Sequence, residues 1–157
     1  MNKVTLALIF AVLLVGGVFL YKTYIDGGNE PVVATGYKDA EYVIEGERVK
    51  LVDGVAETEV TLDSTGSLQA GSASKTVTRY FGNELKIDLD DDGREDVVFL
   101  LTRESGGSGT FFYVVAALNT ELGYVGSDGY FLGDRIAPQT TEVSRNPRHK
   151  NVIVVNY

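Results

Sequence analysis

The chain has 157 residues, with 22 acidic against 14 basic side chains, a formal net charge of −8 and a sequence pI near 4.6. That acidity argues against nucleic acid as a partner. It has no cysteine, which excludes a disulfide framework, a thiol nucleophile and lipoprotein acylation, and a single histidine, which leaves no ordinary zinc site.

Residues 4–21, VTLALIFAVLLVGGVFLY, carry no charge. Eighteen apolar or small residues reach the lower end of what spans a bilayer as a helix. Lys3 precedes the run, and Tyr21, Lys22 and Tyr24 follow it as interfacial anchors. The alternatives are a cleaved signal peptide and a buried core helix. No small-x-small cleavage pattern follows the run, where Phe19, Leu20, Tyr21 and Lys22 stand, and only Thr5 offers a polar face. The sequence therefore predicts one transmembrane helix, an uncleaved anchor within residues 1–25 that meets the lipid bilayer through residues 4–24. Residues 26–38, DGGNEPVVATGYK, read as a linker interrupted by Gly27, Gly28, Pro31 and Gly36.

A β domain is expected over residues 39–157. Glycine is frequent at 18, proline rare at 3, and β-branched and aromatic runs alternate with glycine turns. Tyr42 to Ile44 predict a short strand, Gly46 a turn, and Arg48 to Val52 the return. Asp53-Gly54 is a hairpin signal, because a type I′ turn needs φ > 0 at both central positions. Val55 to Thr61 alternate outward. Residues 63–74, DSTGSLQAGSAS, are small and polar, a surface loop. Lys75 to Phe81 resume a strand, Gly82-Asn83 is expected to turn it, and Leu85 to Leu89 lead onward.

Next comes DLDDDGRED, residues 88–96, with the pattern D-x-D-x-D-G-x-x-D. Calcium is a hard cation that takes six to eight oxygens at about 2.3–2.6 Å. Carboxylates at alternate positions converge on one point if the chain curls between them. Gly93 stands where the EF-hand loop has its invariant glycine, able to take φ > 0. Asp88, Asp90 and Asp92 would supply carboxylates, Arg94 its backbone carbonyl with the side chain left free, and Asp96 a direct or water-mediated ligand. At the twelfth position an EF-hand has a bidentate Glu; this chain has Phe99. The flanks LKI and VVFLL are strand-like, so the loop looks like the strand-flanked calcium loops of FG-GAP and VCBS-type extracellular repeats. The competing reading is a solvated acidic turn. Against it, residues 84–96 hold seven acids and two bases, a density unfavourable without a cation. Magnesium fits less well, since it prefers fewer carboxylates and a rigid octahedron.

Asp96 to Thr102 form the most apolar strand, with both faces expected to be buried. Ser105 to Gly109 predict a hairpin loop and Phe111 to Leu118 the return strand. These two strands are expected at the centre of the sheet, with the loop holding their register. Gly123 to Gly126, Tyr130 to Gly133, Arg135 to Val143 and Val152 to Val155 are further strand candidates, with a turn at Asn146-Pro147. One copy of the motif does not make a propeller, which needs several blades. The expected fold is mainly β, a single antiparallel domain, sandwich or rolled sheet.

RYFGNE at 79–84, the acidic loop, the apolar strand 97–101, GGSGTFFY at 106–113 and GDRIAPQT at 133–140 form a series. In these, residues 76–157 resemble a group of uncharacterised bacterial envelope proteins. The resemblance implies location and fold, not an activity. Such loops often have Gly where this chain has Asp91, a position that is not a ligand. Calcium loops of millimolar range suit the extracytoplasmic side. The expected product is thus a single-pass protein of the cytoplasmic membrane. Its calcium-binding β domain would lie in the periplasm or at the cell surface and bind an extracellular protein or polymer.

An enzyme is the other class. Ser/His/Asp chemistry needs an oriented His, but His149 lies between Arg148 and Lys150 in what reads as an exposed turn, and the clustered carboxylates are committed to metal. No catalytic residue is expected. A third reading, an envelope inhibitor, rests on GSASKTVTRY at 71–80, which is similar to the small-residue and Tyr loop of periplasmic lysozyme inhibitors.

Overall fold

The computed structural model describes residues 32–60, 74–148 and 152–157. The transmembrane helix expected over residues 4–24, the start of the linker, most of the 63–74 loop and His149 lie outside the described residues. Among the described residues no helix is long and apolar enough to cross a membrane.

The described chain is mainly β, in antiparallel sheets. Its strands are β1 (Glu41–Ile44), β2 (Glu47–Lys50), β3 (Val55–Val60), β4 (Ser74–Ile87), β5 (Asp96–Glu104), β6 (Phe111–Thr120), β7 (Gly123–Gly126), β8 (Tyr130–Asp134), β9 (Thr140–Val143) and β10 (Ile153–Asn156). A six-stranded sheet runs β3-β4-β5-β6-β7, with β8 also paired to β6; β1-β2 and β9-β10 form separate two-stranded sheets.

Two tight turns build the amino-terminal part. Ile44 pairs with Glu47 around Glu45-Gly46, with φ of 54° and 81°. Val52 bridges Val55 around Asp53-Gly54, with φ of 50° and 78°. Both have the two positive φ values that a type I′ connection requires. The β1-β2 hairpin lays Tyr42, Ile44, Val49 and Leu51 on one face of the large sheet. There they form one core with Val97, Phe99 and Leu101 of β5 and Tyr113, Val115 and Ala117 of β6. Side chains alternate across a strand, so these odd-numbered residues share a face while Val98 and Leu100 point to the other. Both sets are buried, as the apolar run predicts. Phe99 lies at the centre, with the rings of Tyr37, Tyr42 and Tyr80 at 5.6, 5.5 and 5.4 Å. Gly126 lets β1 cross β7 closely, since a Cβ there would stand 2.2 Å from the Glu41 carbonyl oxygen.

Two expectations are corrected. Gly82-Asn83 does not turn the chain. β4 continues through it to Ile87, and the β4–β5 register shifts between Tyr80 and Leu85, with φ of 115° and 52° at Gly82 and Asn83. The residues with turn character make a bulge, because Leu85 to Ile87 still find partners in β5. The strand candidate Arg135–Val143 is a strand only over Thr140–Val143; Pro138 has no N–H to donate to a ladder. β5 and β6 do stand inside the sheet, and the acidic loop joins β4 to β5.

Candidate metal centre

The loop between Ile87 and Asp96 is closed by its own carboxylates. Asp88 accepts the backbone N–H of Asp92 at 3.2 Å on one oxygen and that of Gly93 at 2.9 Å on the other. Asp90 accepts the Asp92 N–H at 3.3 Å. These are Asx-type bonds, in which a short acidic side chain replaces a backbone partner and fixes the turn. The curl needs two residues in the left-handed region, Asp91 at φ 61° and Gly93 at φ 85°. Aspartate tolerates that region better than most residues. This lets Asp91 hold a position that would otherwise favour Gly. Nothing lies within 4 Å of a Cβ built on Gly93, so the requirement there is conformational rather than steric.

Asp96 ends the loop and begins β5. Its side chain is fully buried. One oxygen accepts the Leu89 N–H at 2.8 Å and the other the Asn119 N–H at 2.7 Å. A buried carboxylate is costly to hold unless its oxygens are satisfied, and two backbone amides satisfy this one. The pairing of Val97 with Ala117 carries β6 past the loop and brings Asn119 alongside Asp96. Asn119 also donates its side-chain amide to the Glu95 carbonyl at 3.3 Å.

Of the predicted ligands, the carboxylates of Asp88, Asp90 and Asp96 converge, with one oxygen from each within 4.8 Å of the others. They run from exposed Asp90 through half-buried Asp88 to buried Asp96. The cluster can hold a metal ion. Among the described residues no basic side chain forms an ion pair with any of the three, although Lys86 pairs with neighbouring Glu95 at 3.5 Å.

The Asp92 carboxylate lies apart from this trio. It accepts the backbone N–H of Arg94 at 2.8 Å and pairs with the Arg94 guanidinium. The Arg94 side chain, expected to be free, is therefore engaged, and its Nε donates to the Asn119 carbonyl at 2.5 Å. Asn119 thus meets the loop three times. Sequence reasoning missed it, because it lies 23 positions from Asp96 in a strand with no motif. The signal that finds it is the β5–β6 register.

The stretch that prompted an inhibitor reading runs into β4. Thr76 and Thr78 are buried, and Tyr80 donates its hydroxyl to Glu84 at 2.5 Å.

No known family model matches the chain, nor does any curated protein or solved structure.

Proposed function

We propose that the chain is a membrane-anchored, extracytoplasmic calcium-binding β domain with a structural or binding role in the bacterial envelope. The observation that carries the reading is the convergence of Asp88, Asp90 and Asp96 on one point at the entry to the central strand. The donor set fits the group, since every side chain offered is a carboxylate, and hard oxygens suit calcium over softer metals. Asp88, Asp90 and Asp96 would hold the ion, with the Arg94 carbonyl as a further donor and the Asp92 carboxylate joining only on leaving its pair with the Arg94 guanidinium. Calcium would supply the positive charge that offsets the acids gathered in the loop.

A structural role follows from where the loop is fastened. Asp96 and Arg94 both bond to Asn119, so closing the loop also fixes the ends of β5 and β6. The anchor and the extracytoplasmic side rest on the apolar run at residues 4–21 and on the weak affinity typical of extracellular calcium modules. Calcium titration of the full-length chain in detergent micelles by calorimetry, with thermal melts in calcium and in chelator, tests the reading. Binding that raises the melting temperature and is lost in Asp88→Ala supports it. Absence of binding at millimolar calcium reduces the loop to an acidic turn.

A further inference from the structure

The large sheet has two edges, and they differ. β3 is one edge, and it carries exposed Glu57 and Glu59, with Glu57 paired to Lys75 at 2.7 Å. Charges of this kind discourage another chain from adding to a sheet. The opposite edge is shared by β7 and β8. Along β7 it is closed: Ala34 and Tyr124 exchange backbone bonds at 2.9 and 2.7 Å, and Val43 bonds to Ser127 and Gly129 at 3.2 and 2.7 Å. Along β8, among the described residues, no strand pairs with the outer side.

β8 reads YFLGD, without lysine or proline. Tyr130 is 74% exposed and Phe131 50%. Phe131 stands on a small aromatic floor, with the ring of Tyr113 at 5.5 Å and that of Phe111 at 6.3 Å. The β6–β8 register skips Leu132, and such a bulge shortens the ladder an added strand can form. Side chains and charge must therefore carry a contact here.

The charge around this floor is negative. Tyr113 donates its hydroxyl to Glu45 at 2.8 Å. The Glu45 and Glu47 side chains are 63% and 60% exposed, and both lean on a single guanidinium, that of buried Arg103. At the other end of β8, Asp134 pairs with its neighbour Arg135 and accepts the Thr110 N–H, while the Thr110 hydroxyl reaches Glu104. Four carboxylates stand against two guanidiniums, one of them buried. An aromatic face beside exposed carboxylates suits Lys or Arg, whose cation is attracted by both.

We propose that the β8 edge docks a basic, extended segment of another polypeptide. Its cationic side chains lie on Phe131, which stands opposite Tyr113 on the face of Glu45 and Glu47, while Tyr130, opposite Val114, points to the other face of the sheet. A second copy of this chain is the poorer occupant, because each copy carries −8 and like charges repel. The inference is independent of calcium.

The test uses the full-length chain in detergent micelles with two labelled peptides, an alternating Lys–Val decapeptide and an alternating Glu–Val decapeptide. Binding is read by fluorescence anisotropy, and the contact is located by amide hydrogen exchange. The Lys–Val peptide should bind and slow exchange in residues 130–134, and the Glu–Val peptide should not bind. Phe131→Leu should weaken binding about two- to fivefold through loss of its ring face, whereas Tyr130→Ala, on the opposite face of the sheet, should change neither the binding nor the melting temperature. Four results would each overturn the proposal: protection confined to residues 88–96, where the acidic loop attracts any cation; equal binding of both peptides; binding by Phe131→Leu equal to that of the native chain; or slowed exchange in β8 that rises with protein concentration without peptide, which would make a second copy the occupant.

Discussion

The buried carboxylate of Asp96 accepts the backbone N–H of Asn119 at 2.7 Å, joining the last residue of the acidic loop to the strand that pairs with β5. This bond makes Asp96 serve two roles, as an anchor of the sheet and as a donor facing the cluster. The roles separate by substitution. Asp96→Ala leaves the Leu89 and Asn119 amides without their acceptor, and should cost about 1–3 kcal/mol even in chelator. Asp90 is exposed and, among the described residues, bonds only within the loop. Asp90→Ala should leave the melt in chelator nearly unchanged and remove most of the rise produced by calcium. Melts of both variants in calcium and in chelator check this. Equal behaviour of the two in chelator would show that Asp96 has no structural part of its own.

Arg94 makes a second prediction with two opposite signs. Its guanidinium pairs with Asp92, whose carboxylate is outside the converging trio, and so places a positive charge in the acidic loop. Arg94→Ala keeps the backbone carbonyl, frees Asp92 and removes that charge. At a separation of several ångströms the charge is worth about 1 kcal/mol, so calcium should bind roughly fivefold more tightly. The same change deletes the bond to the Asn119 carbonyl, so the calcium-free protein should lose about 0.5–1.5 kcal/mol. Calorimetry and a urea titration measure the two effects. Weaker calcium binding in the variant would sink the argument.

What was legible in the sequence follows from which signals are local. The Asp53-Gly54 turn, the fully buried β5 and the Gly93 curl were readable because each depends on residues within a few positions. The role of Gly82-Asn83 was misread, because a turn and a bulge use the same residue types, and only the partners of Leu85 to Ile87 in β5 decide between them. Asn119 and the Arg94 side chain were invisible for a related reason: their contacts are set by β5–β6 register, which links distant positions. The convergence of Asp88, Asp90 and Asp96 was legible from spacing, and the diversion of Asp92 to Arg94 was not.

The β4 bulge creates a third testable feature. Tyr37 and Tyr80 both donate their hydroxyls to one oxygen of Glu84, at 2.6 and 2.5 Å, and Lys38 lies 3.8 Å from the Tyr80 ring centre. The tyrosine hydroxyls hold the Glu84 carboxyl below the usual glutamate range. In turn the Glu84 hydrogen bond, helped by burial, pushes Tyr37 up to about 12. Glu84 binds its proton less readily folded than unfolded. Its stabilisation is therefore present above the unfolded value, about 4.3, and lost as pH falls through the folded value. Tyr37 has the opposite sign: its contribution is present below about 10 and lost as pH rises through the raised value. The stability difference between the native chain and Tyr37→Phe should thus be flat from about pH 5 to 9 and shrink below about pH 4. It should stay under about 1 kcal/mol, because the carboxylate is exposed and screened. Melts of both proteins across that range read it, and a constant difference through the acid limb would contradict it.

Arg103 tests the attachment of the β1-β2 hairpin to the sheet. It is buried on β5, donates weakly to the Ile44 carbonyl at 3.4 Å, and pairs with Glu45 and Glu47, whose side chains face solvent. Among the described residues its Nε has no hydrogen-bond partner. The two ends of this ion pair are unequal, since the cation is desolvated and the carboxylates are not. Removing the cation returns two carboxylates to water at little cost, and an apolar replacement recovers packing on the core face. Arg103→Met should therefore change stability by no more than about 1 kcal/mol, in either direction. Removing an acid leaves a buried guanidinium with less compensation. Glu47→Ala should cost more, about 2–3 kcal/mol, below the 3–5 kcal/mol of a fully buried pair because Glu45 remains. Urea unfolding of the two variants gives the order directly. If Arg103→Met proves the more damaging, the hairpin is held by the charge pair itself, and the apolar contacts of Tyr42, Ile44 and Leu51 are insufficient to keep it on the sheet.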